Sequence, residues 1–320
     1  MLNDSIDKVV IGVDSLKQLK DNIDSLDYLD DVRKIYGELE SDSFRLDDEE
    51  IVCPVNWKKR LKAGVIIQAR MGATRLPGKV LLKILDKTIL EHVLERVKRS
   101  ESIDDVIVAT TTKDEDKEIV SLMEKKGVKV FRGSEEDVLD RFYQAAKAYD
   151  IRHIVRITAD SPLIDPWIID AVVNRYFNSG ADYCSNVWER TYPDGQDVEV
   201  FSFNTLKRAW ENARLQSERE HVTPYVMNNK DDFEVFHFKQ DKNLSEKRWS
   251  LDRHEDFEFM KAVLEALYPK KPDFHMEDII RFLELNPDVE EINKGYLVNE
   301  GYLKSLKEDK IVDIKRGEES

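Results

Sequence analysis

The hydrophobic pattern divides the chain near residue 60. Before that point it predicts one short strand at residues 8–13 and helical segments up to about residue 50, the longer of which is acidic and amphipathic. A single strand within 60 residues offers too little apolar surface for an independent core. We therefore expect residues 1–60 to form an appended arm or the remnant of a larger domain.

After residue 62 the pattern alternates regularly between strands and helices. The first strand, 63–67, is apolar throughout, as in strands buried on both faces of a parallel sheet. Further strands are expected at 105–109, 128–131 and 153–158, with helices between and after them. This alternation predicts an α/β domain with a doubly wound, mostly parallel sheet. Ligands of such sheets lie beyond the C-terminal strand ends, where four loops should converge: 68–79, 110–113, 132–137 and 159–165.

From residue 182 the pattern becomes mixed and predicts an α+β region that completes a main domain at 61–290. Ser217 and Glu220 have the spacing of a capping box. Residues 291–320 are predicted to be a polar tail that frays after Lys307. The expected strands are 197–201, 233–238 and 248–251, and the expected helices are 204–214, 218–228, 254–268 and 276–285.

Composition narrows the class of protein. The chain is 36% charged and 41% hydrophobic, which fits a globular protein, and its net charge of −15 argues against nucleic acid or an anionic membrane as a partner. No apolar run approaches the roughly 20 residues of a membrane helix, and the N-terminus lacks the layout of a signal peptide, so we expect a cytoplasmic protein. Cys53 and Cys184 stand too far apart for CxxC spacing, which argues against a disulfide framework or a structural zinc site.

The segment from Gln68 to Lys79, QARMGATRLPGK, follows the buried first strand and carries three cations and two glycines. Glycine lets backbone N–H groups approach phosphate oxygens, and Arg and Lys match the charge of a polyphosphate. The spacing matches neither the Walker A motif nor GxGxxG. We interpret this segment as a phosphate-binding loop; the alternative is a solvated basic loop.

Asp160 follows the strand at 153–158 and falls in the expected ligand crevice. A carboxylate beside a basic loop indicates a metal ligand, because Mg²⁺ takes oxygens from one or two carboxylates and from substrate phosphates. The alternative is a helix cap or a turn residue.

The basic loop resembles the signature of the CTP-dependent sugar-acid cytidylyltransferases, the group of CMP-KDO and acylneuraminate synthetases, which reads approximately A-R-x-x-S-x-R-L-P-x-K. In particular, the chain resembles the branch named for the spore-coat polysaccharide protein SpsF. The likeness covers about residues 63–290. Ala73 departs from the family pattern, since the usual Ser would place a hydroxyl near the triphosphate. Supporting motifs follow in order at 110–114, 132–141, 156–165, 190–201 and 217–225.

This resemblance implies a Rossmann-like nucleotidyltransferase fold that binds CTP and Mg²⁺. Arg70, Arg75 and Lys79 would hold the triphosphate and, with Asp160, form the catalytic set. Asp160 and Asp252 would hold the metal ion, although Asp252 also suits the N-terminus of the following helix. The full predicted nucleotide-binding set is Gln68, Ala69, Arg70, Gly72, Thr74, Arg75, Lys79, Thr110, Thr112, Arg132, Asp137 and Arg141.

Two parts of the nucleotide set have plain structural alternatives. The stretch 110–114 also reads as a strand end followed by a capping Asp. Asp137 and Arg141 are also spaced as an i,i+4 surface salt bridge.

The same resemblance places the acceptor side of the cleft after residue 190. Asp197 and Glu199 share a face of the predicted strand, because strand side chains repeat every two residues, and near Arg190 they can hydrogen-bond sugar hydroxyls. A half-exposed sheet edge and a capped helix are the alternative, and no general base is named. The predicted acceptor-binding set is Tyr192, Asp194, Asp197, Glu199, Arg219, Glu220 and His221.

We therefore expect an enzyme in which a hydroxyl of a sugar acid attacks the α-phosphorus of CTP and pyrophosphate leaves, chiefly through positioning and charge neutralisation. The rival functions are transfer from another nucleotide, transfer to a phosphate or phosphonate acceptor, and non-catalytic nucleotide binding. The family also implies a homodimer. Residues 1–59 resemble the C-terminal tail of an aldo/keto reductase, but that barrel needs about 250 residues, so no reductase activity is predicted.

Overall fold

The structure is a computed structural model that describes residues 63–296 and 300–312. The predictions for residues 1–60 lie outside this part of the chain. The strands are β1 Ala63–Gln68, β2 Lys83–Ile84, β3 Lys87–Thr88, β4 Ile103–Thr111, β5 Lys129–Gly133, β6 His153–Thr158, β7 Tyr183–Ser185, β8 Glu199–Ser202 and β9 Val235–His237.

Seven of these strands form one sheet in the order β5-β4-β1-β6-β8-β7-β9. β5, β4, β1 and β6 run parallel, whereas β8 is antiparallel to both β6 and β7. The predicted mostly parallel α/β sheet is therefore confirmed. The short β2–β3 hairpin stands apart and was not expected, because two-residue strands leave no periodic signal in the sequence.

Helices cover the sheet. Their bounds are α1 Ile89–Val97, α2 Lys117–Lys125, α3 Val138–Ala148, α4 Pro166–Ser179, α5 Phe203–Asn212, α6 Gln216–His221, α7 Pro224–Asn228, α8 His254–Leu267, α9 Met276–Leu285, α10 Pro287–Glu290 and α11 Glu300–Lys307. Within the described ranges, no helix has the length and apolar character needed to span a membrane.

The apolar first strand is buried on both faces, as its sequence predicts. Val65 and Ile67 belong to the hydrophobic cluster on one side of the sheet, and Ile66 belongs to the cluster on the other side. Side chains that alternate across a strand thus tie two helical layers to one sheet. β1 is an interior strand, paired with β4 on one side and β6 on the other, so the loop that follows it begins between the loops that follow those two strands.

The mixed second half differs from its prediction at several places, among them the unexpected strand β7. Residues 248–251 form no strand; the backbone of Arg248 forms only an isolated β-bridge with Asp194. The predicted helix 218–228 is divided into α6 and α7 at Val222, whose φ of 74° is incompatible with a continuous helix. The predicted Ser217–Glu220 capping box is also wrong, because α6 begins two residues earlier and the Glu218 carboxylate accepts from the backbone N–H of Leu215.

The C-terminal residues are more structured than the predicted polar tail. The buried Asn293 side chain donates to the carbonyl of Arg248 and to the carboxylate of Asp256. Farther along, α11 lies against α6, and the Asp309 carboxylate accepts from both the backbone N–H and the hydroxyl of Ser217. The polarity of this segment therefore reflects specific contacts.

Candidate active site

The four loops after β1, β4, β5 and β6 meet at the C-terminal edge of the sheet, as predicted. The backbone N–H of Met71 donates to the Asp116 carboxylate (2.7 Å), which joins the first loop to the second. Glu135, after β5, pairs with Arg70 at 3.9 Å and also with Lys113. These contacts and the pairing of Lys79 with Asp160 join the four loops into one polar cluster.

Two turns fold the basic loop back on itself. The Met71 carbonyl accepts from the backbone N–H groups of Ala73 (2.8 Å) and Gly78 (2.9 Å). Gly78 has a φ of 69°, a conformation in which a side chain would be strained. Gly72 faces the Glu115 and Glu135 carboxylates, which lie 3.2 Å from where its Cβ would stand. The backbone at Gly72 thus lies close to anionic oxygens, which in this structure belong to the two glutamates.

Lys79 lies between the two carboxylates predicted to bind a metal ion. Its Nζ contacts Oδ2 of Asp160 at 2.7 Å and Oδ1 of Asp252 at 2.8 Å, and it donates to the Leu251 carbonyl at 2.6 Å. Burial opposes the charge of this ammonium, but the two carboxylates outweigh burial and raise the pKa of Lys79 above its ordinary value. The structure therefore brings Lys79, Asp160 and Asp252 together from three distant parts of the chain.

Asp252 is surrounded by further cations. Arg75 pairs with its Oδ2 at 2.8 Å and Arg248 pairs with the same oxygen at 3.2 Å. Burial opposes ionisation, but Lys79, Arg75 and Arg248 together lower the pKa of Asp252 to about 2. Both carboxylates beside Lys79 are partly exposed, with 26% of the Asp160 side chain and 28% of the Asp252 side chain accessible. Solvent and ligands can therefore reach them.

The donor set at this position fits Mg²⁺. A cationic group, the Lys79 ammonium, is already held by one oxygen of each carboxylate, which shows that the pair can share a positive charge. Among the described residues there is no group of three or more potential metal ligands. Mg²⁺ binds through one or two carboxylates with the remaining ligands from water and phosphates, so water, or a bound nucleotide together with water, would complete the shell.

The residues predicted to contact the nucleotide base line the ends of β4 and β5. Two buried polar atoms, the hydroxyl of Thr110 and Nε of Arg141, have no hydrogen-bond partner within the described structure. Burial, reinforced by the nearby Arg70 cation, lowers the pKa of Arg141 to about 10. Groups of this kind are costly to leave unsatisfied, which makes both atoms candidates for ligand contacts.

Other members of the nucleotide set have internal roles. The Arg132 side chain donates to the carbonyls of Thr111 and Lys113, so it holds the loop that carries the exposed Thr112. Asp137 caps α3 by accepting from the backbone N–H of Asp140. The alternative Asp137–Arg141 salt bridge is not formed. Asp137 pairs instead with Arg219, whose Nε lies 2.9 Å from its Oδ2.

The acceptor set is divided between two clusters. In the first cluster, buried Glu199 pairs with Arg156 and accepts from the hydroxyls of Tyr183 and Thr223, each at 2.6 Å. Arg156 Nε also donates to Gln68 at the end of β1. Arg156 was not predicted as a site residue, although it opens the supporting motif at 156–165.

His221 lies near the first cluster. Its Nε2 is 3.0 Å from the hydroxyl of Ser305, which also donates to Glu220. Burial is the main cause that lowers the pKa of His221 to about 4. The ring is therefore neutral near neutral pH and can either accept or donate a hydrogen bond.

The second cluster supports Asp252. Asp194 accepts from the hydroxyl of Ser250 at 2.5 Å, and its carbonyl accepts from the backbone N–H of Trp249. The next residue, Gly195, has a φ of 96°, and a Cβ there would stand 2.2 Å from the Trp249 carbonyl oxygen. Burial, together with the neighbouring Asp197, raises the pKa of Asp194 to about 6. These contacts fix the backbone that leads into Asp252.

Tyr192 and Asp197 do not join Glu199. Tyr192 is buried and stacks against Phe238. β8 begins at Glu199, two residues later than predicted, and Asp197 is paired with Arg190 instead of sharing the partners of Glu199. The predicted strand position of Asp197 was therefore wrong, whereas its predicted proximity to Arg190 is confirmed.

Comparisons with known proteins agree with this geometry. The family model for cytidylyltransferases matches residues 64–298. The spore coat polysaccharide biosynthesis protein SpsF of Bacillus subtilis is 34% identical over 230 residues, which are 70% of this chain and 94% of that protein. A 3-deoxy-manno-octulosonate cytidylyltransferase of Anaeromyxobacter dehalogenans is 38% identical over 111 residues, 34% of this chain and 45% of that protein. A cytidylyltransferase structure from Leptospira borgpetersenii superimposes with a TM-score of 0.70 at 38% identity, covering 74% of this chain and all of that one.

Proposed function

Because the chain belongs to the cytidylyltransferase family, we propose that it transfers CMP from CTP to a hydroxyl of a sugar acid of the nonulosonate or KDO type. The acceptor oxygen forms a bond to the α-phosphorus, the bond between the α- and β-phosphates breaks, and pyrophosphate leaves. The proton of the hydroxyl passes to solvent or to a base that we do not assign. The product is an activated sugar for the synthesis of a surface polysaccharide or glycan.

The observation that carries this proposal is the Lys79–Asp160–Asp252 cluster beside the basic loop. In this cluster Lys79 contacts both carboxylates, and two further cations, Arg75 and Arg248, contact Asp252. Phosphoryl transfer depends mainly on positioning and on neutralising the charge of the phosphates. In this assignment Arg70, Arg75 and Lys79 bind the triphosphate together with the backbone of Gln68, Ala69, Gly72 and Thr74.

Asp160 and Asp252 would hold Mg²⁺, which supplies neutralisation of phosphate charge when bound. Thr110, Thr112 and Arg141 would face the base and ribose, since two buried polar atoms in this region lack partners within the described chain. On the acceptor side, Glu199, Glu220 and His221 offer hydrogen-bonding groups suited to sugar hydroxyls. SpsF, by its name a protein of polysaccharide biosynthesis, and the cytidylyltransferase of a keto sugar acid support this class of acceptor. A homodimer remains part of the proposal.

The test is pyrophosphate release from CTP with MgCl₂ and a panel of sugar acids that includes KDO and nonulosonates. We expect release with at least one acid, and thermal stabilisation by CTP that exceeds stabilisation by UTP, GTP or ATP. Asp160→Asn should abolish release while the protein stays folded. Asp273→Asn is the charge-matched control, since Asp273 is exposed and lies outside the cleft residues. Absence of release with every acid and preference for another nucleotide would each count against the proposal.

A further inference from the structure

The last described residues, 300–312, form a segment that we call the C-terminal strap. Its far end is attached to the chain around α6. The Asp309 carboxylate accepts from the Ser217 N–H (3.0 Å) and from the Ser217 hydroxyl (2.6 Å). The backbone N–H of Gln216 donates to the Lys310 carbonyl, and that of Val312 donates to the Arg214 carbonyl. This end is therefore fixed by several independent hydrogen bonds.

The near end of the strap reaches the basic loop. Oε2 of Glu300 lies 3.1 Å from Nη1 of Arg75 and 2.8 Å from Nη2 of Arg253. The other terminal nitrogen of Arg75 contacts Asp252. Arg75 thus holds a carboxylate of the strap with the same guanidinium that contacts a carboxylate of the proposed metal site.

Between its two ends, the strap covers the acceptor side of the cleft. The Tyr302 ring packs edge-on against Trp188 at 5.8 Å and against His221 at 5.1 Å between ring centroids. The Ser305 hydroxyl donates to Glu220 and contacts His221. Two residues of the predicted acceptor set are therefore already engaged by the strap.

We propose that the C-terminal strap competes with CTP for Arg75. Glu300 is the residue of the strap that sets the affinity for the nucleotide, and the strap must be displaced before CTP can bind. This inference rests on the proposed function, because it takes Arg75 to be a triphosphate ligand. A triphosphate at Arg75 brings several negative charges beside the Glu300 carboxylate. The carboxylate either leaves Arg75 or stays next to the phosphates, and both outcomes oppose binding. The family model ends at residue 298, before the strap begins, so the device lies outside the shared catalytic region.

The first test compares the dissociation constant of CTP, with MgCl₂ and without acceptor, among single variants. Glu300→Gln keeps the shape and removes the charge, so it should tighten CTP binding about two- to fivefold, the range expected for a partly exposed ion pair. Asp309→Asn weakens the distant attachment without touching Arg75 and should tighten binding in the same direction. Glu308→Gln makes the same charge change on an exposed residue of the strap and should leave binding unchanged.

The second test is amide hydrogen exchange of the wild-type chain with and without CTP. Exchange should rise in residues 300–307 and fall in the basic loop. Unchanged or weaker CTP binding by Glu300→Gln, while the wild type binds, would overturn the proposal and leave the proposed function intact. If Glu300→Gln binds CTP more tightly but CTP does not raise amide exchange in residues 300–307 of the wild type, Glu300 repels the nucleotide while the strap stays in place. That result would overturn the proposal that CTP displaces the strap. If no form binds CTP, the proposed function fails and the strap proposal fails with it.

Discussion

Replacing Lys79 with methionine removes the ammonium that contacts both Asp160 and Asp252. Its three hydrogen bonds, 2.6–2.8 Å long, link the loop after β1 to the loop after β6 and to residues 251–252. Methionine is similar in length but carries no charge, so the two carboxylates would face each other. Asp252 keeps Arg75 and Arg248 as partners, and the main cost therefore falls on Asp160.

The size of the effect follows from burial. Breaking a fully buried ion pair costs about 3–5 kcal/mol, whereas exposed pairs contribute about 0–1 kcal/mol. Lys79 is almost fully buried, but about a quarter of each carboxylate side chain is exposed, at 26% and 28%. We therefore expect Lys79→Met to lower the free energy of unfolding by about 2 kcal/mol. For a domain of this size, that change lowers Tm by roughly 4–8 °C.

Magnesium should recover part of this loss in the variant. With the ammonium gone, the carboxylates would bind Mg²⁺ in place of Lys79, and a tenfold excess over Kd would restore about 1.4 kcal/mol. The assay is thermal unfolding of nucleotide-free protein, followed by circular dichroism, in EDTA and in millimolar MgCl₂. Lys83→Met is the matched control, because Lys83 is exposed on β2. An unchanged Tm of Lys79→Met, or an equal response to MgCl₂ in wild type and variant, would refute the reasoning.

Three further predictions concern other residues of the candidate site. Glu199→Ala should lower the free energy of unfolding in urea by about 3 kcal/mol, because it removes a buried carboxylate and leaves the half-buried Arg156 without its ion-pair partner, and Glu199→Gln should cost less. Gly195→Ala should cost about 3 kcal/mol or more in the same assay, since its φ of 96° and the Trp249 carbonyl leave no room for a Cβ. His221, with its pKa lowered from 6.5 to about 4, binds a proton more readily in the unfolded chain, so wild-type stability should fall as pH drops through that interval. His221→Gln should reduce this loss by about 1–2 kcal/mol, because part of the ring is exposed; equal pH profiles would contradict the assignment.

The parallel half of the fold could be predicted because each element there carries a clear local signal. β1 begins with an apolar run, β6 carries three β-branched apolar residues, and α1 repeats apolar residues every three to four positions. The mixed half lacks such signals. Val222 has a positive φ that its residue type does not signal, and 248–251 looks like a strand although its backbone forms only the Arg248–Asp194 bridge and single hydrogen bonds from Trp249 to Asp194 and from Leu251 to Asp160.

In the candidate site, too, some features could be predicted from the sequence and others could not. The family resemblance predicted Lys79 as a triphosphate ligand and Asp160 with Asp252 as a metal pair, and the structure brings all three into contact. The pairing of Arg156 with Glu199 joins strands that are adjacent only in the folded sheet, so no local spacing could reveal it. Asp194 was assigned to the acceptor by motif alone, yet its contacts support the backbone that leads into Asp252.

The charge of the basic loop also has a different meaning in the structure than in the sequence. In the sequence it is a cationic segment within a chain of net charge −15. In the folded domain each of its cations is paired, Arg70 with Glu135, Arg75 with Asp252 and Glu300, and Lys79 with Asp160 and Asp252. A polyphosphate that binds this loop must therefore exchange with carboxylates already in place, and the net gain is the difference between two sets of ion pairs. The affinity for a nucleotide is thus set as much by the competing carboxylates as by the arginines and the lysine that would hold it.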